Sequence, residues 1–398
     1  MQVCGVICEY NPFHHGHALH LRRARALSGA EYIVCVMSGS VTQRGTFARH
    51  DKWTRARMAL EHGADLVLEL PVRFACAGAE DFARGGVSLL AALGVVTHLS
   101  FGCEADSIPH LARLSSLLDE ETPEYRRMLR ESLDSGLPYP RARALAMQRI
   151  SGIDALDTII AQPNTALALE YLRALRSLAP EISPVPVIRE GAGYHDESLV
   201  PLASATAVRA AISRGDLTGA LLAVPSPGLL ESSEARGDFH NEEALTQALL
   251  YLPRTASDDS LARIAGIGEG LEHLFIRAGR TAQTRDELIM AIKSKRYTYA
   301  RLSRICACAL LGITQSFAAN HAAPTYARVL GFRRDAQPLL SAIKKSSAIP
   351  LIVKAADHDR SDPLFALDLR AQDLWSLGCA SPALRQSGRD FTTSPIIV

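Results

Sequence analysis

The feature that most constrains this chain is the alternation in its first hundred residues. "VCGVICE" (3–9), "YIVCVMS" (32–38), "ADLVLELP" (64–71) and "VVTHLSFG" (95–102) are short β-type runs that stay apolar along their length. Between them lie "HALHLRRARAL", "HDKWTRARMALEHG" and "GAEDFARGGVSLLAALG", all with helical spacing; the second opens on Asp51 and closes on Gly63. A strand apolar throughout is buried on both faces, so the pattern predicts an α/β fold: a Rossmann-like parallel sheet sandwiched by helices. Ligands bind such sheets beyond the carboxyl ends of the strands. Both "EYNPFHHGH" (9–17) and "FGCE" (101–104) fall at such ends.

The pattern then changes. A helical insertion is expected at about 105–150, with "PEYRRMLRESLDSG" carrying a Pro start and a Gly stop. "PNTALALEYLRALRSL" (163–178) reads as a helix, "SPVPVIRE" (183–190) as a strand, and "SATAVRAAISRG" (204–215) as a helix with hydroxyl caps. Past about 220 the strands fade. Turn residues cluster in "VPSPG" and "SSEARGD", near 216–235. Two units are expected: 1–225 around the sheet, and a mainly α-helical 226–398. Lysine and arginine number 43 against 42 acids, so any RNA-binding surface has to be a local patch. Eight cysteines without C-x-x-C spacing argue against a zinc knuckle and against a disulfide framework. With no basic leader and no bilayer-length apolar run, a cytoplasmic setting is expected.

"EYNPFHHGH" joins the first strand to the first helix and holds three histidines in four positions. Zinc would want histidines at i and i+4 of a helix, or a fixed mixture with cysteine or carboxylate, and no metal site is expected here. A solvated histidine-rich turn stays open as the plain alternative. Phosphate fits better. The first N–H groups of a helix lack partners within it and favour an anion. His14 and His17 are three apart, hence on one side of the first turn. Gly16 removes a side chain where a nucleotide would approach the backbone, and Pro12 stiffens the entry. Nucleotidyl transfer asks for positioning and charge stabilisation, not for a protein nucleophile. A strand followed by H-x-G-H at a helix start resembles the adenylyltransferases of the HIGH superfamily. "SATAVR" resembles their second phosphate element, in which Ser204 and Thr206 would cap and Arg209 would reach a leaving pyrophosphate. Read alone, it is equally an ordinary helix cap with a solvated arginine.

Longer stretches narrow the resemblance. "GVICEYNPFHHGHALHL", "VMSGSVTQRGTFARHDKWTRARMALEHGADLVLELPV", "FGCE", "PNTALALEYL", "KRYTYARLSRI", "YARVLGF" and "DFTTSPIIV" are together similar to the bacterial tRNA(Met) cytidine acetate ligase family, from end to end. The resemblance implies that ATP, with magnesium, and acetate form acetyl-adenylate. The acetyl group then passes to N4 of the wobble cytidine of elongator tRNA(Met), releasing AMP, with no acetyl-CoA. It implies catalytic roles for His14 and His17. It implies ATP contacts along Ile7, Cys8, Glu9, Tyr10, Asn11, Pro12, Phe13, His14, His15, Gly16, His17, Ala18, Leu19 and His20, and at Gly102, Asn164 and Arg189. Without the resemblance, Gly102 is equally a turn glycine, Asn164 a helix cap and Arg189 a surface arginine. One stretch departs: Ser40, Val41 and Thr42 stand where the family usually shows "NFV", while Gln43 and Arg44 persist.

"KSKRYTYARLSR" (293–304) holds Lys293, Lys295, Arg296, Arg301 and Arg304 without an acid, interleaved with Tyr297 and Tyr299. Cations for phosphates and aromatics for unstacked bases suit tRNA, although a basic helix face is usually just solvated. "GFRRDAQPLLSAIKK" (331–345) adds charge in the same helical unit. Lys52, Arg55 and Arg57 read most simply as a solvated helix face. The rival function is an adenylyltransferase acting on a small metabolite, which leaves the basic C-terminal half without a task.

Overall fold

A computed structural model describes residues 1–104, 110–111, 114–116, 122–152, 162–188 and 203–398. Strands β1 (Val3–Cys8), β2 (Tyr32–Ser38), β3 (Leu66–Leu70), β4 (His98–Cys103) and β5 (Ser183–Ile188) form the parallel part of one sheet, in the order β5-β4-β1-β2-β3. Helix α1 (His15–Ser28) follows β1, α2 (Lys52–Glu61) precedes β3, and α3 (Ala79–Ala92) precedes β4. Successive side chains of a strand point to opposite faces. So Val34 and Val36 of β2 enter one core with Leu66, Leu68 and α3, while Ile33, Cys35 and Met37 enter the other with α1 and α2. That two-sided burial is why these strands lack a polar alternation.

The chain builds β1, β2 and β3 outward in one direction and then returns to place β4 on the other side of β1. The strand order therefore reverses between β1 and β4, and such a reversal opens a crevice at the carboxyl ends of the two strands. Helices α4 (Pro123–Asp134) and α5 (Tyr139–Ser151) occupy the expected insertion, and α6 (Pro163–Leu178) packs on α3. Helix α7 (Ala205–Ser213) begins at its cap Ser204, whose Oγ accepts the Ala207 N–H at 3.1 Å.

The expectation that strands end near 220 is corrected. Residues 226–398 return three strands to the sheet: β6 (Ala327–Phe332), β7 (Leu351–Ile352) and β8 (Ile396–Ile397). β6 runs antiparallel to β3, with Leu66 opposite Phe332, and β7 and β8 lie parallel to β6. β6 is hard to read as a strand because it carries Arg328 as its second residue. Arg328 is 3% exposed, and its charge is met by Glu69 at 3.3 Å and Asp390 at 2.7 Å. The helical part is narrower than expected. Its own core gathers Leu249, Leu271, Phe275, Leu288, Ile289, Tyr297, Leu302 and Ile305. These come from α8 (Thr246–Thr255), α9 (Leu271–Gly279), α10 (Arg285–Ile292), α11 (Tyr299–Leu311) and the turns joining them. No helix among the described residues is long and apolar enough to cross a membrane.

Candidate active site

The corner between β1 and α1 is built by its histidines. His14 is the N-cap of α1, in extended conformation at φ −136°, and its Nδ1 accepts the Gly16 N–H at 3.1 Å. His17 Nδ1 accepts the His14 N–H at 3.3 Å, so each ring satisfies a backbone donor of the helix start. The two rings stack with centroids 3.6 Å apart. An imidazole nitrogen that accepts from a backbone N–H carries no proton, so each neutral ring holds its proton on Nε2. In the tautomer that accepts these bonds, each ring is left with Nε2–H to donate. A Cβ on Gly16 would fall 2.9 Å from His14 Cε1. The glycine thus makes room for the capping ring, beyond the room expected for a nucleotide. Behind this pair, Phe13 is fully buried, with its ring centroid 5.6 Å from that of His17 and 4.8 Å from that of Tyr10.

A cavity of about 460 Å³ opens at the β1/β4 reversal. Its walls join segments far apart in sequence. Ile7, Cys8, Glu9, Tyr10, Asn11, His14, Gly16, His17, Leu19 and His20 come from the corner; Gly102 comes from the end of β4 and Asn164 from the start of α6. Ser204, Thr206 and Arg209 close the opposite side. The Arg209 guanidinium donates to the Asn11 carbonyl at 2.5 Å and to Thr206 Oγ1 at 3.3 Å, so it is aimed at the corner. Burial lowers its pKa from the usual guanidinium range. Asn164 is not the helix cap, a position held by Gln162; its amide donates to Glu104 Oε1 at 3.0 Å. Four residues of the expected loop do not line the cavity: Pro12, Phe13, His15 and Ala18. Phe13 and Ala18 are buried beneath the corner, and the His15 N–H donates to the Ala223 carbonyl at 3.2 Å. Arg189 lies outside the described residues.

These features match known proteins. The chain matches the HIGH Nucleotidyl Transferase family over residues 1–390. The chain belongs to the HIGH nucleotidyltransferase family. Among its curated relatives are the tRNA(Met) cytidine acetate ligase of Acetivibrio thermocellus, 38% identical with all of both chains covered, and that of Clostridium perfringens, 36% identical with all of both chains covered. Two crystal structures of Thermotoga maritima TmcAL, each 32% identical, superpose on the whole chain. The apo form gives a TM-score of 0.94 with all of that chain covered. The form bound with alpha-thio ATP gives 0.92 with 99% covered.

The cavity of this HIGH nucleotidyltransferase has a further wall, one to which the sequence assigned no role. Thr42, Gln43, Arg44 and Thr46 line the cavity. Of the three departures from the usual pattern only Thr42 reaches it, bonded to the Thr46 carbonyl at 3.1 Å. Ser40 instead donates to Gln372 at 2.9 Å, and Val41 is fully buried. The persistence of "QRG" was the available signal for this loop.

The basic residues fall differently from the expectation. Lys52 and Arg55 are fully buried rather than solvated. Lys52 Nζ lies 2.8 Å from both Glu69 and Asp390, and Arg55 donates to the carbonyls of Glu9 at 2.7 Å and Ser38 at 2.9 Å. Only Arg57 stays exposed, paired with Glu61. Lys293, Lys295 and Arg296 are exposed and Arg301 is half-buried, so they share the outside of the helical part. Arg296 pairs with Glu269. Tyr297 is 6% exposed and lies under Arg301, at 5.1 Å from its ring centroid, which corrects its reading as a stacking platform. Arg304 turns inward and lines the cavity. "GFRRDAQPLLSAIKK" runs from the end of β6 into the helix Gln337–Ser346, so its charge lies beside the sheet rather than in the helical part.

Proposed function

We propose that the protein uses ATP to activate acetate as acetyl-adenylate and acetylates N4 of the wobble cytidine of elongator tRNA(Met), drawing on acetate and not acetyl-CoA. The observation that carries this reading is the meeting of His14, His17 and Arg209 on one cavity at the strand reversal, in a chain whose full length follows relatives named tRNA(Met) cytidine acetate ligase. ATP lies along the corner from Ile7 to His20, with Gly102, Asn164, Arg189, Ser204 and Thr206 contributing further contacts. An acetate oxygen attacks the α-phosphate, and the bond to pyrophosphate breaks. Charge grows on the phosphate oxygens as this happens. The Nε2–H donors of His14 and His17 and the Arg209 guanidinium meet that charge without having to reorganise. Removing one such donor costs about 3–4 kcal/mol in comparable sites.

Magnesium suits this pocket only as an ion carried on the triphosphate. Among the described residues, Glu9 is the one carboxylate that lines the cavity, and no group of three or more potential ligands occurs. Magnesium is commonly held by one or two carboxylates plus substrate phosphates. When bound there it neutralises phosphate charge. The helical part supplies the tRNA surface through Lys293, Lys295, Arg296 and Arg301, in a cytoplasmic setting. The test is to incubate the protein with ATP, labelled acetate and unmodified tRNA(Met). Acetylcytidine at the wobble position is expected. Absence of that product, together with absence of acetate-dependent exchange of pyrophosphate into ATP, would falsify the reading.

A further inference from the structure

The cavity is built for anions, yet a carboxylate lines it. Glu9 directly follows β1 and is the only acid among the described residues that line the cavity. Its Oε1 accepts the Gln43 N–H at 2.6 Å. The charged and titratable groups around it come from several elements: Cys8 from β1, Arg44 from the loop after β2, Arg55 from α2, Tyr171 from α6, Arg209 from α7, and Cys76. Burial raises its carboxyl above the usual range, against the pull of the three arginines. A carboxylate repels triphosphate and acetate alike, so what it can serve there is a hydrogen-bond donor. The reaction brings one donor whose proton must leave, the cytidine N4 amine.

The location agrees. Gln43, which donates to Glu9, gives its own carbonyl to Arg304 at 3.3 Å. Among the described lining residues Arg304 alone comes from 226–398, and it sits on α11, which follows the exposed basic stretch. The Glu9 end of the cavity therefore faces the half that offers charge to RNA. We propose that Glu9 is the general base of acetyl transfer, an inference that rests on the acetate-ligase reading above. The N4 nitrogen bonds to the acetyl carbon. The bond from that carbon to the phosphate oxygen breaks, and its electron pair leaves with AMP. The amine proton passes to the Glu9 carboxylate.

The two half-reactions separate the roles. Acetate-dependent pyrophosphate exchange reads adenylation, and acetylcytidine formation reads transfer. In Glu9→Gln the ratio of transfer to exchange falls by about 100-fold or more, the scale of a positioned general base. The wild-type rise of transfer with pH through the Glu9 titration disappears in that variant, and Glu9→Asp restores part of both. If exchange and transfer fall in step, Glu9 serves the nucleotide or the fold and the inference is overturned; if neither falls, it is overturned as well. Wild-type protein that lacks acetate dependence overturns the underlying reading instead, a separate result.

Discussion

Gly16→Ala separates stability from chemistry at the corner. The added Cβ would lie 2.9 Å from His14 Cε1 and 3.0 Å from Nδ1. Carbon contacts are comfortable from about 3.5 Å, so the ring has to retreat by roughly 0.5–1 Å. The listening group in this clash is a side chain on the helix cap, which can move, so the fold survives. Alanine inside a helix gains about 0.5–1 kcal/mol over glycine, while the weakened cap costs about 0.5–2 kcal/mol. The two nearly cancel. The chemistry has no such offset, because a misplacement of about 1 Å costs on the order of 10²-fold in rate. Gly16→Ala should therefore melt within a few degrees of wild type while acetate-dependent pyrophosphate exchange falls by tens to a hundredfold. Exchange within threefold of wild type would refute the claim that His14 works from its capped position. A melting temperature that collapses along with activity would refute the claim that the clash is local.

Other expectations follow from the same geometry. His17→Ala should reduce pyrophosphate exchange by on the order of 10²-fold or more, with tRNA retained on filters nearly as by wild type. Lys295→Ala combined with Arg296→Ala should do the reverse. It weakens tRNA binding and flattens its salt dependence by roughly one to two units of slope, with little change in stability because the Arg296–Glu269 pair is exposed. Burial lowers the pKa of His240 from 6.5 to about 4, although its Nδ1–H donates to the Trp375 carbonyl at 3.0 Å. The unfolded chain then binds a proton that the folded chain refuses, so stability is full above pH 6.5 and declines as pH falls toward 4. Urea midpoints at several pH values should drop more steeply over that window in wild type than in His240→Gln; equal slopes would exclude His240 as the cause.

The first five strands were legible because each is a local apolar run, and α6 matched "PNTALALEYLRALRSL" from Pro163 to Leu178. The strand-to-helix corner was legible because a helix cap and its third residue are set by spacing alone. What escaped were residues whose environment is supplied from far along the chain. Lys52 looks solvated until Asp390 and Glu69 are brought to it, and β6 looks broken until the same two acids neutralise Arg328. A charge is read as exposed by default, and a buried charge is tolerable only with its partners in place. No local pattern reveals such partners. Tyr297 failed for a related reason: interleaving with cations describes an order along the chain, not the face that a ring occupies.

The inward turn of Arg304 bears on how the two halves work together. Arg304 holds the Gln43 carbonyl, Ser303 Oγ donates to the Arg44 carbonyl at 2.5 Å, and Arg285 donates to the Gly45 carbonyl at 3.2 Å. Three consecutive carbonyls of the loop that carries the cavity wall are thus bonded to side chains of α10 and α11. Gly45, at φ +71°, lies so close to α11 that a Cβ there would overlap the backbone of Ser303 and Arg304. Only glycine meets both demands, because φ in that range and contact with a helix backbone exclude a side chain. The wall that carries Gln43 and Arg44 cannot shift without α11 shifting with it. Arg301 lies one turn before Arg304 on that helix, so the basic surface and the cavity wall are joined by one helix and its side-chain bonds rather than by a flexible linker.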